Sequence, residues 1–321
     1  MPKTGWPPQA KPAIIAAMKY GPIIKEIGRG AKGARDLDTA AAAALFGDIL
    51  DGVVPELELG AILLAFRIKS EALPELLGFK QAMDARTAQV AVPEGPRCVV
   101  LPTYNGARRQ ANLMPLVALL LAREGVPVLI QGRHDFETRV SPFELLAALE
   151  LHPAADAAAA AVQLAQRRLA CIGVDRLLPG LDPLLALRVR MGVRASGHTM
   201  AKLIDPCRGR SVRVVAVTHP EYLERMDAFL RADGGRAMLM RGTEGEIYAN
   251  PRRCPEMKVY VEGEASVGVP AEEGGAPPLA GLPDAPSVAD NAALIRAMLA
   301  GEVPVPGPIL RQVAALRALA N

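Results

Sequence analysis

Seven cations, Arg188, Arg190, Arg194, Lys202, Arg208, Arg210 and Arg213, stand against one acid, Asp205, between residues 188 and 213. That segment carries a local charge of +6 in a chain whose formal net charge is only +3. Guanidinium and ammonium groups at this density are suited to attracting and neutralising phosphate. Two further segments add cations. Leu101–Arg109 ends in Arg108 and Arg109, and Val126–Asp135 carries Arg133. Each segment reads as a strand running into a loop, so both loops should open at the carboxyl edge of one sheet, where phosphate-bearing ligands sit in doubly wound α/β domains. Neither loop has the glycine run or the carboxylate that nucleotide chemistry needs. A charge run is also what a solvated surface looks like. Three cationic segments meeting at one edge favour polyanion binding, in which phosphate neutralisation gives affinity without sequence preference.

Other side chains offer less. His134, His152, His198 and His219 are scattered, with no metal-ligand spacing to another His or Cys. His219, just after a strand, reads as a hydrogen-bonded structural residue. Ser141 before Pro142 reads as a helix N-cap. Tyr104 could stack on a base or pack beneath its own loop. Met238 and Met240 read as core. Cys98, Cys171, Cys207 and Cys254 lack CxxC spacing and are expected to be buried thiols of a reducing compartment. No metal and no cofactor are expected. No apolar run is long enough to span a bilayer, and Met1–Trp6 lacks the plan of a signal peptide. The expected location is the cytoplasm.

The elements that must position these cations follow from periodicity. Helical patterns cover Ala13–Gly28, the alanine run after Asp38, Leu57–Ile68 and Pro74–Met83, with no strand signal before residue 85. From there β-branched runs at Arg97–Leu101, Val126–Ile130, Leu169–Val174, Ser211–Thr218 and Arg236–Arg241 alternate with helices at Pro142–Leu151, Ala154–Arg168, Asp182–Arg194 and Glu221–Ala232. That alternation predicts right-handed βαβ crossovers and a mainly parallel sheet. The Gly/Pro-rich stretch 262–287 is expected to be a surface loop. Ser287 should cap a helix through Ala300, and Ile309–Leu319 closes the chain. The fold class is α/β, with a small all-helical N-terminal domain beside a larger domain whose sheet is flanked by helices.

The order of these segments resembles the anthranilate phosphoribosyltransferases. The motifs that carry the resemblance are Asp36-Leu-Asp, Asp48-Ile-Leu-Asp-Gly52, Gly60-Ala, Arg67-Ile-Lys, Glu71, Gly78-Phe…Ala82-Met, both loops above, Leu203-Ile-Asp-Pro206, Arg241–Gly245 and Asn291-Ala…Gly301-Glu. The resemblance covers nearly the whole chain and implies a glycosyltransferase family 3 fold. It implies a helical domain of residues 1–85, completed by helices from about 154–194, and an α/β domain of 86–153 and 195–321. It also implies a homodimer joined through the helical domains.

The catalytic motifs differ. Pro102-Thr103-Tyr104-Asn105-Gly106 stands where that family has Gly-Thr-Gly-Gly-Asp for the sugar diphosphate. Ile130-Gln131-Gly132-Arg133 replaces Lys-His-Gly-Asn. The magnesium-holding Asp–Glu pair falls at Ile247-Tyr248, with Glu244 and Glu246 beside it. Thr103, Tyr104, Asn105, Gly106 and Gly132 would then be a remnant ligand loop. Tyr104–Arg109, Pro115–Ala122 and Arg241–Glu246 look like the YbiB-like branch of this family, which is associated with sequence-independent binding of DNA and RNA. The expected activity is therefore non-catalytic binding of nucleic acid, DNA or RNA and single-stranded, by a homodimer. A transferase of altered acceptor specificity, using Thr103, Gly106 and Glu244, is the alternative, and a protein contact through 262–287 a third reading.

Overall fold

The computed structural model describes residues 11–30, 32–133, 138–279 and 281–321. His134 and the adjoining Asp135 lie outside them. In chain order the elements are α1 (Lys11–Ile27), α2 (Thr39–Leu50), α3 (Glu56–Lys69), α4 (Leu73–Asp84), β1 (Cys98–Thr103), α5 (Met114–Arg123), β2 (Val128–Gly132), α6 (Pro142–Ala148), α7 (Ala157–Arg167) and β3 (Leu169–Gly173). They continue with α8 (Val174–Leu177), α9 (Leu181–Met191), α10 (Ser196–Met200), β4 (Ser211–Val217), α11 (Pro220–Asp233), β5 (Arg236–Arg241), β6 (Met257–Val261), β7 (Glu264–Val269), α12 (Val288–Ala300) and α13 (Gly307–Ala320). The chain divides into two compact units, Met1–Ala85 with Pro183–Met200, and Arg86–Asp182 with Ala201–Asn321.

In the helical unit, Asp38 caps α2 by accepting the Ala41 N–H at 2.7 Å. The α2–α4 contact is backbone-close because position 78 has no side chain: a Cβ there would lie 2.4 Å from the Thr39 carbonyl oxygen and 2.8 Å from the Ala42 Cβ. Phe79 fills the space beside it, stacked on Phe46 at 4.5 Å and edge-on to Phe66 at 5.2 Å. The buried Glu75 carboxylate accepts from the Leu37 and Ala72 N–H groups, each at 2.8 Å, and pairs with Lys69 at 2.7 Å. That network pins the entry to α4 against α3.

The second unit is built on a seven-stranded sheet in the order β3-β2-β1-β4-β5-β6-β7. The first five strands are parallel, and β6 and β7 are antiparallel. β1 and β4 are buried along their whole length, as expected of parallel strands covered on both faces. One face carries α5, α6, α12 and α13 through Leu116, Leu145, Ile295 and Leu316, all fully buried.

Two expectations are corrected here. The helix over Ala157–Arg167, expected to complete the helical domain, packs instead on β2 and β3. Ala160 and Leu164 bury against Val100, Leu129 and Ala170 in the core of the α/β unit. The stretch after Glu262, expected to be loop, begins with strand β7. Glu262 and Gly263 both have positive φ, 49° and 87°, which makes the tight β6–β7 hairpin turn. A Glu-Gly pair is a weaker hairpin signal than Asn-Gly or Asp-Gly, so the sequence does not announce the turn. The Ser141 cap is present: its side chain accepts from the Phe143 N–H at 3.0 Å, and Glu144 accepts from the Ser141 N–H at 2.9 Å.

Candidate functional site

The loop after β1 is folded around two carboxylates. A tight turn, Thr243–Glu246, carries Glu244 and Gly245 at φ 52° and 92° and closes with reciprocal backbone bonds between Thr243 and Glu246. Gly245 is required there, since a Cβ would lie 2.7 Å from the Asn105 amide nitrogen. The turn drives Glu246, with no exposed surface, beneath the β1 loop. Its Oε1 accepts the Asn105 and Gly106 N–H groups, both at 2.9 Å, and its Oε2 accepts the Thr103 hydroxyl at 2.8 Å. Glu244 continues the pattern: Oε1 accepts from the Arg109 N–H at 2.9 Å and Gln110 N–H at 3.2 Å, and Oε2 from the Arg108 N–H at 3.2 Å. Five loop amides and one hydroxyl are directed at two carboxylates.

A fan of loop amides beside a strand end is the arrangement that receives a phosphate. Here the chain's own carboxylates fill it. Burial pushes the Glu246 carboxyl above its ordinary range, and the Thr103, Asn105 and Gly106 donors and the Lys202 charge offset this only in part. The Tyr104 hydroxyl donates to Gln131 Oε1 at 2.6 Å, and Gln131 Nε2 donates to the Ala201 carbonyl at 3.1 Å. Tyr104 is 8% exposed, so its ring packs under the loop, and the base-stacking alternative is set aside. Asn105 donates to the Gly245 carbonyl at 2.8 Å. Gly132 lets β2 close on β1, because a Cβ would lie 1.8 Å from the Thr103 carbonyl oxygen. The remnant ligand loop (Thr103, Tyr104, Asn105, Gly106 and Gly132) is thus buried and internally bonded. Ile247 and Tyr248, at the magnesium-pair positions, are core residues at 2% and 0% exposure.

Within the α/β unit the cations do not converge on one edge of the sheet. α9 ends at Met191 and Gly192 turns with φ 71°, so Arg190 and Arg194 do not share a helix face. Both belong to the helical unit, where Arg190 pairs with Glu56 at 3.1 Å. In the α/β unit, Lys202 Nζ donates to the Ala216 carbonyl at 3.0 Å, near the carboxyl end of β4. Arg208 and Arg210 lie at the opposite edge, in the turn that enters β4. Arg213 is 5% exposed and paired with Asp233, so it is a buried structural ion pair and not a surface contact. Arg133 is half-buried and pairs with Asp182. Arg108 and Arg109 are exposed beside the filled loop. His219 is exposed and makes no side-chain cap bond to α11, so the expected structural hydrogen bond is not found there.

Sequence reasoning places Glu244 and Glu246 near the site without finding their role. The signal is available in Thr243-Glu-Gly-Glu: a glycine between two carboxylates marks a turn that aims one side chain back at its neighbours. Among the described residues, no group of three or more His, Cys, Asp or Glu could hold a metal ion, and no helix is long and apolar enough to cross a membrane. The four cysteines are buried free thiols.

A helical bundle followed by this parallel sheet and amide-rich loop defines an anthranilate phosphoribosyltransferase-like protein. Residues 21–87 match the helical bundle domain of the glycosyl transferase family. Anthranilate phosphoribosyltransferase of Thermus thermophilus superposes with a TM-score of 0.71 at 23% identity, covering 92% of this chain and 87% of that one. The Saccharomyces cerevisiae enzyme, solved in complex with PRPP and Mg, superposes with a TM-score of 0.72 at 12% identity, covering 94% and 89%. YbiB of Escherichia coli (strain K12) is 42% identical over 299 residues, 92% of this chain and 93% of its own length. The chain belongs to the YbiB-like branch of this family.

Proposed function

We propose that this protein is a non-catalytic, sequence-independent binder of nucleic acid, single-stranded DNA or RNA, acting as a homodimer. The observation that carries the reading is the contrast at the β1 loop. Its amides are saturated by Glu244 and Glu246, while Arg108 and Arg109 beside it face solvent. A sugar diphosphate needs the amides; a polyanion strand needs the exposed charge. The alternative, transfer to a different acceptor, would have to use Thr103, Gly106 and Glu244. Thr103 and Gly106 are bonded to Glu246, and Glu244 accepts from the Arg108, Arg109 and Gln110 amides of the β1 loop.

The dimer reading rests on α3. Leu57, Leu64 and Ile68 recur at helical spacing on it and are 79%, 47% and 65% exposed. A second copy covering this stripe would remove it from water through a two-fold contact.

Salt-graded elution from immobilised single-stranded DNA tests the function. Retention at low salt that falls steadily as salt rises, alike for unrelated sequences, is expected. Passage through the column at about 0.05 M salt, where phosphate contacts are strongest, would contradict it.

A further inference from the structure

Every strand of the parallel part of the sheet is entered beside an arginine. Arg168 precedes β3, Arg97 precedes β1, Arg210 precedes β4, Arg236 opens β5, and Arg123 ends the helix that feeds β2. The register aligns Leu169 with Val128 and Val128 with Val99, and pairs Cys98 with Ser211. Arg168, Arg97 and Arg210 therefore leave the sheet at nearly the same height, on the edge opposite the filled loop. Neighbouring strands are ~4.8 Å apart, so the row from β3 to β5 spans roughly 19 Å. That length suits several successive phosphates of an extended strand.

The bonding of these guanidinium groups matters as much as their position. Arg97 Nη1 donates to the Gly209 carbonyl at 2.7 Å, Arg123 Nη1 to Leu299 at 2.7 Å and Arg236 Nη1 to Leu319 at 2.7 Å. Arg210 Nη2 donates to the Gly95 carbonyl at 2.8 Å, and Arg168 Nη1 to Glu94 at 3.4 Å. A carbonyl fixes a guanidinium without cancelling its charge, and a guanidinium has five N–H donors, more than these bonds use. Arg167 and Arg208, both exposed, add two more cations. Of the acids near this edge, Asp233 pairs with the buried Arg213 and Glu124 with Arg317 at 2.9 Å, while Glu94 is exposed in the loop that Arg168 and Arg210 bond, one acid among several cations. Clamping alone would explain each bond separately. It does not explain why the clamps on one edge are arginine at every strand and are bonded to neutral acceptors.

We infer that the amino-terminal edge of the sheet, centred on Arg97, Arg168, Arg208 and Arg210, is the surface that takes the sugar–phosphate backbone of a single-stranded nucleic acid. The inference rests on the nucleic-acid reading above and places the principal contact at the edge opposite Arg108 and Arg109. Pre-fixed guanidinium groups lose little side-chain freedom on binding phosphate, and a row without base-reading geometry gives no sequence preference.

The test is a fluorescence-anisotropy titration of a labelled single-stranded oligonucleotide over a range of salt, with the full chain and two variants. In the variant R167Q/R168Q/R208Q/R210Q, glutamine removes the charge and keeps an N–H donor near the carbonyls that Arg167, Arg168 and Arg210 bond. Its affinity should fall by about tenfold or more, with the slope of log affinity against log salt flattened by roughly 0.7 per lost contact. The variant R108Q/R109Q should lose less affinity and flatten the slope by less than the four-site variant. The reverse pattern would overturn this placement while leaving nucleic-acid binding standing. Absence of binding by the wild-type chain would overturn both. If the four-site variant does not fold, R167Q/R208Q, which alters two exposed side chains, should still flatten the slope by about 1.4, and an unchanged slope would overturn the placement.

Discussion

The Glu246 carboxylate accepts the Thr103 hydroxyl at 2.8 Å while its other oxygen accepts the two amides that follow in the same loop. A side chain from the turn after β5 thereby occupies the anion seat after β1. Under the proposed function, these contacts are what keep a sugar diphosphate out of the loop. The Asn105, Gly106, Arg108, Arg109 and Gln110 amides are already held by carboxylates, so a diphosphate would have to displace Glu246 and Glu244 to reach them.

Isothermal calorimetry with phosphoribosyl pyrophosphate and magnesium should accordingly give no magnesium-dependent heat of binding at micromolar protein. Saturable binding under those conditions would mean that Glu246 and Glu244 leave the loop on demand.

Removing the carboxylate should be costly to the fold. Glu246→Ala strands the Asn105 and Gly106 amides and the Thr103 hydroxyl in a buried site, with an expected loss of about 2–5 kcal/mol in chemical denaturation. Glu244→Ala, whose partners lie nearer solvent, should cost about 0.5–1.5 kcal/mol. Equal losses would show that burial does not govern this loop.

Glu246 also sets a pH dependence. Its folded-state carboxyl titrates above its ordinary range because of burial, so the folded state holds the proton that the unfolded chain releases. The resulting stability is complete below the unfolded pKa and is lost as pH rises through the folded one. Glu246→Gln removes that titration. The melting temperature of the wild-type chain should therefore decline relative to Glu246→Gln as pH is raised from about 4 to 8. A gap that stays constant, or moves the other way, would contradict this.

Arg213 gives a control within the cationic segment. Its side chain is buried on Asp233 and donates to the Gly234 carbonyl at 2.5 Å. Arg213→Ala should cost about 2–3 kcal/mol of stability, because it leaves Asp233 uncompensated. It should leave the salt dependence of oligonucleotide binding unchanged. A flattened slope in a folded Arg213→Ala protein would return this residue to the binding surface.

The exposed stripe on α3 predicts self-association. Light scattering at micromolar concentration should give the mass of a dimer, and replacing Leu57 and Ile68 together by Glu should give a monomer. A monomeric wild-type chain would show that the stripe is covered by something else or left bare.

The parallel strands and most helices are legible in the sequence because their hydrophobic periods are strong: β5 reads as Arg236–Arg241, the bounds it has in the structure. The β6–β7 hairpin escapes because its turn residues, Glu262 and Gly263, are not the usual pair. The role of α7 escapes because an alanine-rich helix carries too little side-chain information to say which unit it covers. Among candidate site residues, charge is legible but direction is not. Lys202 and Arg210 are eight residues apart, and the chain between them passes from one edge of the sheet to the other. Only the three-dimensional register shows that the arginines before β1, β3 and β4 form a row.

The most direct measurement is the affinity of the wild-type chain for two single-stranded oligonucleotides of equal length and unrelated sequence, each titrated across salt. A non-catalytic phosphate-backbone binder predicts equal affinities, falling steeply and in parallel, with a slope of roughly −0.7 for each phosphate contacted. Affinities that differ strongly between the two sequences at shallow slope, or no binding to either at low salt, would contradict the account.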